Sequence, residues 1–220
     1  MASTIKVQNI AHTGGVNSVS LASDGKATFA NGVTFNSSVE QSGSTFPQLG
    51  MFKLLDTTIS SAVATFDITS THINSTYDEY FLSFYLRPAS DNQDIWMRVF
   101  RDGAIQTASI YGYEVCSLSS NSYQNSNAQS YMRMNDTSFG SAVGEGVTGA
   151  LTLQNVNSTI ATFCYSGFTQ GHSGSTLHNS HAIGGSLTGG YASYVVNGIR
   201  LQFHGGGNIA AGRIKLFGIK

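Results

Sequence analysis

The chain has 220 residues, of which 40% are hydrophobic and only 10% are charged, and its net charge is -1. Soluble domains usually carry about 25% charged residues, and here uncharged Ser, Thr, Asn and Gly take their place. This balance argues against a protein that is drawn to nucleic acid or to an anionic membrane surface. The absence of a run of about 18 apolar residues argues against membrane insertion.

Residues 1–46 predict an arm or shaft of short strands. Within them "SLASDGKATFANGVTFNSSV" (20–39) holds two similar units, each a tight turn followed by a very short strand. Such a ladder buries too little apolar surface to offset roughly 1–2 kcal/mol of backbone entropy per residue. We therefore expect the arm to wind with copies of itself, most simply as a trimer, or to become ordered on another partner. The candidate assembly residues are Leu21, Phe29, Val33 and Phe35.

Gly43 and Pro47 predict a boundary within 42–49, followed by a head domain over 50–220. Segments such as "IWMRVFR" and "GIRLQFH" alternate apolar and polar residues, and this pattern indicates strands with one face in a core. Strands are predicted at about 51–57, 60–68, 79–88, 94–101, 108–118, 129–135, 147–155, 159–168, 180–187, 195–204 and 211–219. Their spacing favours an all-β fold, an antiparallel β-sandwich of the jelly-roll kind.

The segment "DEYFLSFYLRP" is nearly all apolar between Tyr80 and Leu86. It predicts a central strand that is covered on both faces, or one that a partner subunit covers. The two cysteines, Cys116 and Cys164, stand in strand-like apolar stretches. We expect free buried thiols there rather than a disulfide, because free cysteine is among the most buried residue types.

Two segments, 117–131 and 167–180, combine Ser, Asn, Gly, Gln, Tyr and His and are predicted to be loops. Antibody paratopes use a similar mixture, in which Tyr supplies rigid contact area and small polar residues supply adaptable hydrogen bonds. Tyr123, Tyr131 and His178 are therefore candidate receptor-contact residues. The alternative is that these are ordinary solvated loops.

Catalytic and cofactor motifs are missing from the sequence, and we predict a protein that is not an enzyme and has no cofactor. The histidines His172, His178 and His181 match no metal-site spacing, although trimerisation could bring copies together. The acidic residues of 91–94 lack the spacing of a calcium loop. The segments "GHSGS" and "HGGG" lack the strand–turn–helix context of a nucleophilic serine.

Several stretches resemble a known family. "MASTIKVQNI" followed by "SVSLASDGKATFANGVTF" resembles the N-terminal part of small fibre or spike proteins of tailed bacteriophages, particularly those of marine cyanobacteria. The segments "ATFDIT", "YDEYFLSFYLRPASDN", "MRVFRDG" and "GRIKLFGIK" resemble the sandwich domains of the same proteins, so the resemblance covers about half of the chain.

The resemblance implies a homotrimeric fibre or spike of a virion, made in the host cytoplasm. Residues 1–46 would join another virion protein, and the head would face outward to a host surface glycan or protein. It supplies no binding residue, and it does not distinguish tail, neck and capsid attachment. Two other hypotheses remain: a capsid decoration protein without host binding, and a carbohydrate-binding module or glycan hydrolase.

Overall fold

A computed structural model describes the backbone of residues 9–11, 17–21, 27–29, 40–41, 44–45, 50–174 and 177–220, and the side chains of 50–172, 174 and 179–220. The chain divides into two compact units, Met1–Gln48 and Leu49–Lys220. Apart from two single-turn 3-10 segments, Gly189–Tyr191 and His204–Gly206, the regular structure of the described residues is β-strand.

In its described residues the first unit holds the strands β1 (Asn9–Ala11), β2 (Asn17–Leu21), β3 (Ala27–Phe29), β4 (Glu40–Gln41) and β5 (Ser44–Thr45). The strands β1, β2 and β3 form an antiparallel sheet with β2 in the middle, and β4 pairs with β5. Leu21 and Phe29 lie at the ends of β2 and β3. Their side chains, and the whole of Val33 and Phe35, lie outside the described residues, so assembly through them stays a prediction.

The second unit contains an eight-stranded antiparallel sheet, which we call the large sheet. Its order is β12-β11-β16-β15-β14-β8-β18-β6, so β8 is an interior strand and β12 and β6 are the edges. The strands are β6 (Met51–Ile59), β8 (Glu79–Pro88), β11 (Tyr111–Ser117), β12 (Tyr123–Gln129), β14 (Gly146–Gln154), β15 (Cys164–Ser173), β16 (Leu177–Leu187) and β18 (Ile209–Ile219).

A smaller antiparallel sheet forms the other layer of this unit. It consists of β7 (Phe66–Ile68), β9 (Ile95–Arg101), β10 (Ala104–Ile105), β13 (Met132–Arg133) and β17 (Gly198–Phe203). Its order is β10-β9-β17-β7, and β13 also pairs with β9. A tight turn at Asp102 and Gly103 connects β9 to β10, and both residues have positive φ angles, of 52° and 76°.

One hydrophobic core lies between the two sheets. Its members include Leu82 and Leu151 from the large sheet and Met97 and Leu201 from the small one, each fully buried. Alternation accounts for this arrangement, since the side chains between these core residues point to the opposite face of the same strand. The predicted all-β class is confirmed, and the second unit has a β-sandwich-like fold.

Several sequence predictions about strands were wrong. The segment 117–131, predicted to be a loop, contains the whole of β12, and the predicted loop 167–180 lies within the long hairpin of β15 and β16. The strand predicted at 60–68 is reduced to Phe66–Ile68, and the one predicted at 159–168 begins only at Cys164. The alternative that this chain covers β8 on both faces was also wrong, because its buried residues alternate with partly exposed or exposed ones. The other alternative, cover by a partner subunit, stays a prediction.

The two cysteines are free, as predicted, but the prediction that they are buried was wrong. Cys116 is exposed and Cys164 is half-buried. Cys116 of β11 pairs with Ala182 of β16, and Cys164 of β15 pairs with Ser186 of the same strand β16. Ala182 and Ser186 both occupy positions of β16 that point away from the core. Both thiols therefore stand on the outer face of the large sheet.

Candidate functional site: the outer face of the large sheet

The outer face of the large sheet carries an uncharged area that spans five neighbouring strands and part of a sixth. Strand register places its members side by side in two rows that run across the sheet. We call this area the uncharged patch, and it consists of Cys116, Ala182, Phe168, Ala150 and Ser83 in one row and Ser166, Thr152, Phe81 and Phe217 in the next. Its small residues make the sheet surface flat, and only three aromatic rings project from it.

The three phenylalanines are the apolar part of this patch. Phe168 is 61% exposed. The rings of Phe81 and Phe217 are half-buried and tilted against one another, with centroids 6.2 Å apart. Between Phe81 and Phe168 the surface forms a shallow recess floored by Ala150, Thr152 and Ser166. Large apolar side chains gathered on an uncharged exterior are typical of a surface that contacts another molecule.

Opposite charges lie at the two ends of the patch. On β6 and β18, Arg213 binds both carboxylate oxygens of Asp56, at 2.8 and 3.1 Å, and Lys53 lies 3.6 Å from the same carboxylate. The hydrogen bond from Arg213 holds the pKa of Asp56 below its usual value. Since Lys215 lies beside Asp56 in register, this end has excess positive charge, whereas β11 presents the exposed carboxylate of Glu114 at the other end.

A groove of about 630 Å³ runs across β12, β11, β16 and β15 on the same outer face. We call it the glycine groove, because Gly112 and Gly184 form part of its floor. Its polar side chains include Glu114, Asn125, Asn127 and Ser186. The half-buried Cys164 also lines it, and burial, with the nearby Glu79 carboxylate, raises the pKa of this thiol. The thiol is therefore protonated at neutral pH and is a poor nucleophile.

Two of the candidate receptor-contact residues lie in or near strands of this sheet. Tyr123 begins β12, is 56% exposed, and its hydroxyl lies 3.4 Å from the Nδ2 atom of Asn125 at the glycine groove. His178 is in β16, opposite His172 of β15, and its side chain lies outside the described residues. Their contact with a receptor stays a prediction, and the structure brings only Tyr123 close to a concave surface.

Tyr131, the third candidate, takes part in an aromatic stack that connects the two sheets. Its ring lies parallel to that of Trp96 in β9, with centroids 3.6 Å apart, and 6.2 Å from that of Tyr113 in β11. His204 packs on Trp96 at 4.5 Å. Neighbouring rings thus pack against the half-buried Tyr131, and its contact with a receptor stays a prediction.

Of the three clustered histidines of the sequence, His181 lies apart from His172, and the side chain of His178 lies outside the described residues. His181 points into the core and is fully buried, whereas His172 and His178 occupy outward positions of the same hairpin. Asp91 and Asp94 also separate: Asp91 accepts hydrogen bonds from the backbone and hydroxyl of Ser141, and Asp94 pairs with Arg133 at 3.0 Å. Within the described side chains, no group of three or more His, Cys, Asp or Glu residues could hold a metal ion.

Sequence reasoning missed most of the uncharged patch. The signal for Phe81 was present in "DEYFLSFYLRP", where aromatic residues occupy both faces of one strand. Phe168 gave no signal, because Ser, Gly, Thr and Gln surround it and alternation is absent. The patch becomes visible only when strand register brings residues from distant parts of the chain together.

Comparisons with known proteins found no matching family model, no matching curated protein and no matching solved structure. Over the part of the chain that the structure describes, no helix is long and apolar enough to cross a membrane.

Proposed function

We propose that this chain is a structural protein of a tailed-phage virion, a homotrimeric fibre or spike without enzymatic activity. In this proposal residues 1–46 join the particle through another virion protein and wind with sister chains. The head, over 50–220, trimerises and contacts the host surface. The observation that carries the proposal is the uncharged patch, with Phe168 61% exposed at its centre.

A second copy of the chain is the occupant that best fits this patch. Covering one phenylalanine side chain contributes roughly 1.5–3 kcal/mol, and the small neighbouring residues allow a flat sheet to approach closely. In a trimer the contact is heterologous, so the patch of one copy would pack on a different surface of the next copy, and such a contact forms a ring when the rotation between successive copies closes.

The first unit supports the same proposal. Its described strands are two to five residues long, and sheets of such short strands are seldom stable alone. Winding of identical arms would supply the missing apolar cover. We further propose a jelly-roll topology for the head, because successive strands such as β8 and β9, or β17 and β18, alternate between the two sheets.

The glycine groove favours a carbohydrate-binding module as the second candidate function. A stand-alone module of this kind would be monomeric, whereas a fibre would be trimeric. A capsid decoration protein would share the trimeric state with the fibre but would stand on a different part of the particle.

Antibody labelling of purified virions, viewed by electron microscopy, tests the proposal. An antibody against the head should label the tail or neck, and antibody preabsorbed with purified head serves as the control. Labelling of the capsid shell alone would favour the decoration protein instead. If neither labelling nor mass spectrometry detects the chain in purified virions, that result would contradict both virion functions.

A further inference from the structure

We propose that the glycine groove binds a neutral oligosaccharide, an inference that rests on the host-attachment role proposed above and names its ligand class. The groove is an open trough of about 630 Å³, large enough for two or three sugar rings and too shallow to enclose them. The groove lies at the β12 end of the outer face. Because β12 is an edge strand, one side of the groove is open to solvent.

The floor of the groove is low because glycine replaces a side chain at an outward strand position. A Cβ atom built on Gly184 would have the carbonyl oxygen of Tyr165 as its nearest neighbour, at 3.6 Å, so the space above it is open. Glu114 and Ser166 flank Gly184 in register and rise on either side of it. A ligand can thus lie against the backbone of β16 between these two side chains.

The polar groups of the groove match a ligand whose groups both donate and accept hydrogen bonds. The Glu114 carboxylate accepts, whereas the Asn125 and Asn127 amides and the Ser186 hydroxyl can each do both. Asn125 is already oriented by the Tyr123 hydroxyl, 3.4 Å from its Nδ2 atom. Sugar hydroxyls also donate and accept hydrogen bonds. This lining can therefore pair with them although the ligand carries no charge.

Tyr123 adds an aromatic surface at the end of the groove. It stands two residues before Asn125, on the same face of β12, and 56% of the residue is exposed. An exposed tyrosine next to hydrogen-bonding side chains offers an apolar ring face together with a polar tip. The C–H face of a sugar ring can pack on such a ring while its hydroxyls contact the amides.

The charge of the lining selects a neutral ligand over an anionic one. Glu114 is the one ionisable side chain of the lining that is charged at neutral pH, since the Cys164 thiol and the two tyrosines are protonated there. A carboxylate or sulfate on the ligand would be repelled by Glu114 and would find no cation in the groove.

A matched pair of valine variants of the full-length chain tests this inference. In Gly184→Val the new side chain fills the floor of the groove, and the open space above Gly184 lets the strand keep its fold. Ser180→Val is the control, because Ser180 lies on the same face of the same strand, outside the groove. The probe is a printed array of neutral and sulfated oligosaccharides, followed by calorimetric titration with the best neutral one.

The intact chain and Ser180→Val should bind a neutral oligosaccharide with equal affinity, and Gly184→Val should weaken that binding at least tenfold. Glu114→Gln should weaken it several-fold. Absence of binding to every neutral oligosaccharide, preference for sulfated ones, or equal binding by Gly184→Val would overturn the inference. Light scattering on the same samples distinguishes failure of this inference from failure of the proposed function. If only the groove inference fails, the protein does not bind the oligosaccharide but still has the mass of a trimer. If the proposed trimer fails, the measured mass is lower.

Discussion

Glycine residues at inward strand positions provide space for aromatic rings in the core of the head. A Cβ atom on Gly149 would overlap the ring of Phe84, which lies opposite it in register. A Cβ atom on Gly171 would overlap the ring of Phe139, which is fully buried. Because protein interiors are close-packed, such a ring cannot move aside without displacing its neighbours.

We therefore predict that Gly149→Ala destabilises the head by about 1–3 kcal/mol, the usual range for overpacking a core. Gly184→Ala is the matched control, since its Cβ would meet nothing closer than 3.6 Å. Denaturant unfolding of both variants measures the difference. Equal stability of the two variants would show that Phe84 can repack freely.

His181 is the buried titratable group whose charge state bears on the stability of the head. It is fully buried, its Nδ1 atom lies 3.5 Å from the Thr169 hydroxyl, and its Nε2 atom has no partner among the described residues. Burial lowers the pKa of His181 below its ordinary value of 6.5. The carboxylate of Asp136 opposes this shift and the guanidinium of Arg133 adds to it.

Below about pH 6.5 the unfolded chain takes up a proton at this histidine, while the folded chain does not. The head should therefore lose stability as the pH falls from 7.5 to 5, and His181→Gln should reduce that loss. His204→Gln, at an exposed position, is the control. Denaturant unfolding at several pH values measures the effect, and an unchanged pH dependence in His181→Gln would contradict it.

At the scale of elements, a buried hydrogen-bond network fixes the segment around β13 to the start of β9. The fully buried side chain of Asn135 accepts a hydrogen bond from the Ile95 amide at 2.9 Å. It donates to the Asp94 carboxylate at 2.9 Å and to the Thr137 carbonyl at 3.0 Å. Arg133 pairs with the same carboxylate at 3.0 Å. The exposed pair of Arg213 and Asp56 joins β18 to β6 with similar geometry but without burial.

Asn135→Ala should cost about 1–3 kcal/mol for each buried group that it leaves unpaired, and so at least about 2 kcal/mol in total. Asp56→Asn should change stability little, because water competes for an exposed ion pair. Thermal and denaturant unfolding would distinguish the two. A comparable loss in both variants would mean that burial does not set the strength of these contacts.

Sequence alternation was sufficient to predict β9 and β17, whose inward positions carry large apolar side chains, and a nearly continuous apolar run predicted β8. It failed for the hairpin of β15 and β16, where the inward positions include Gly167, Thr169, Gly171, Asn179 and His181. Phe139, from a loop remote in sequence, fills the space above Gly171. The polarity of the residues in these strands therefore does not reveal which face is buried, because apolar side chains from other parts of the chain pack against the inward positions.

The candidate site could be predicted only in part for a related reason. The composition of 117–131 drew attention to Tyr123, which lies beside the glycine groove, but its contact with a receptor stays a prediction. The groove itself depends on Gly112, Gly184 and Ser186, which become neighbours through the pairing of β11 with β16. Glycine in a strand gives no local indication of whether its missing side chain faces the core or the solvent.

At the scale of the whole molecule, the uncharged patch should be buried in the contact between copies of the chain. Cys116, an exposed member of the patch, should then react slowly with a thiol reagent in the assembled protein. Phe168→Ser should make Cys116 react at the rate of an exposed thiol, which mass spectrometry of labelled peptides would measure. Fast labelling of Cys116 in the intact protein would place the contact between copies elsewhere.

Phe168→Ser should also lower the assembly state while leaving the head folded, because it removes the most exposed ring of the patch. Ile160→Ser is the matched control, since Ile160 is 97% exposed but lies in the connection between β14 and β15, outside the patch. Loss of assembly in both variants would point to a general effect of surface polarity rather than to the patch.

Multi-angle light scattering of the full-length protein tests the central claim most directly. The account predicts a single species of about three times the chain mass of 23.3 kDa, and a shift toward 23.3 kDa in Phe168→Ser but not in Ile160→Ser. An intact protein that elutes at 23.3 kDa at micromolar concentration would contradict the proposed trimer and, with it, the proposed fibre or spike.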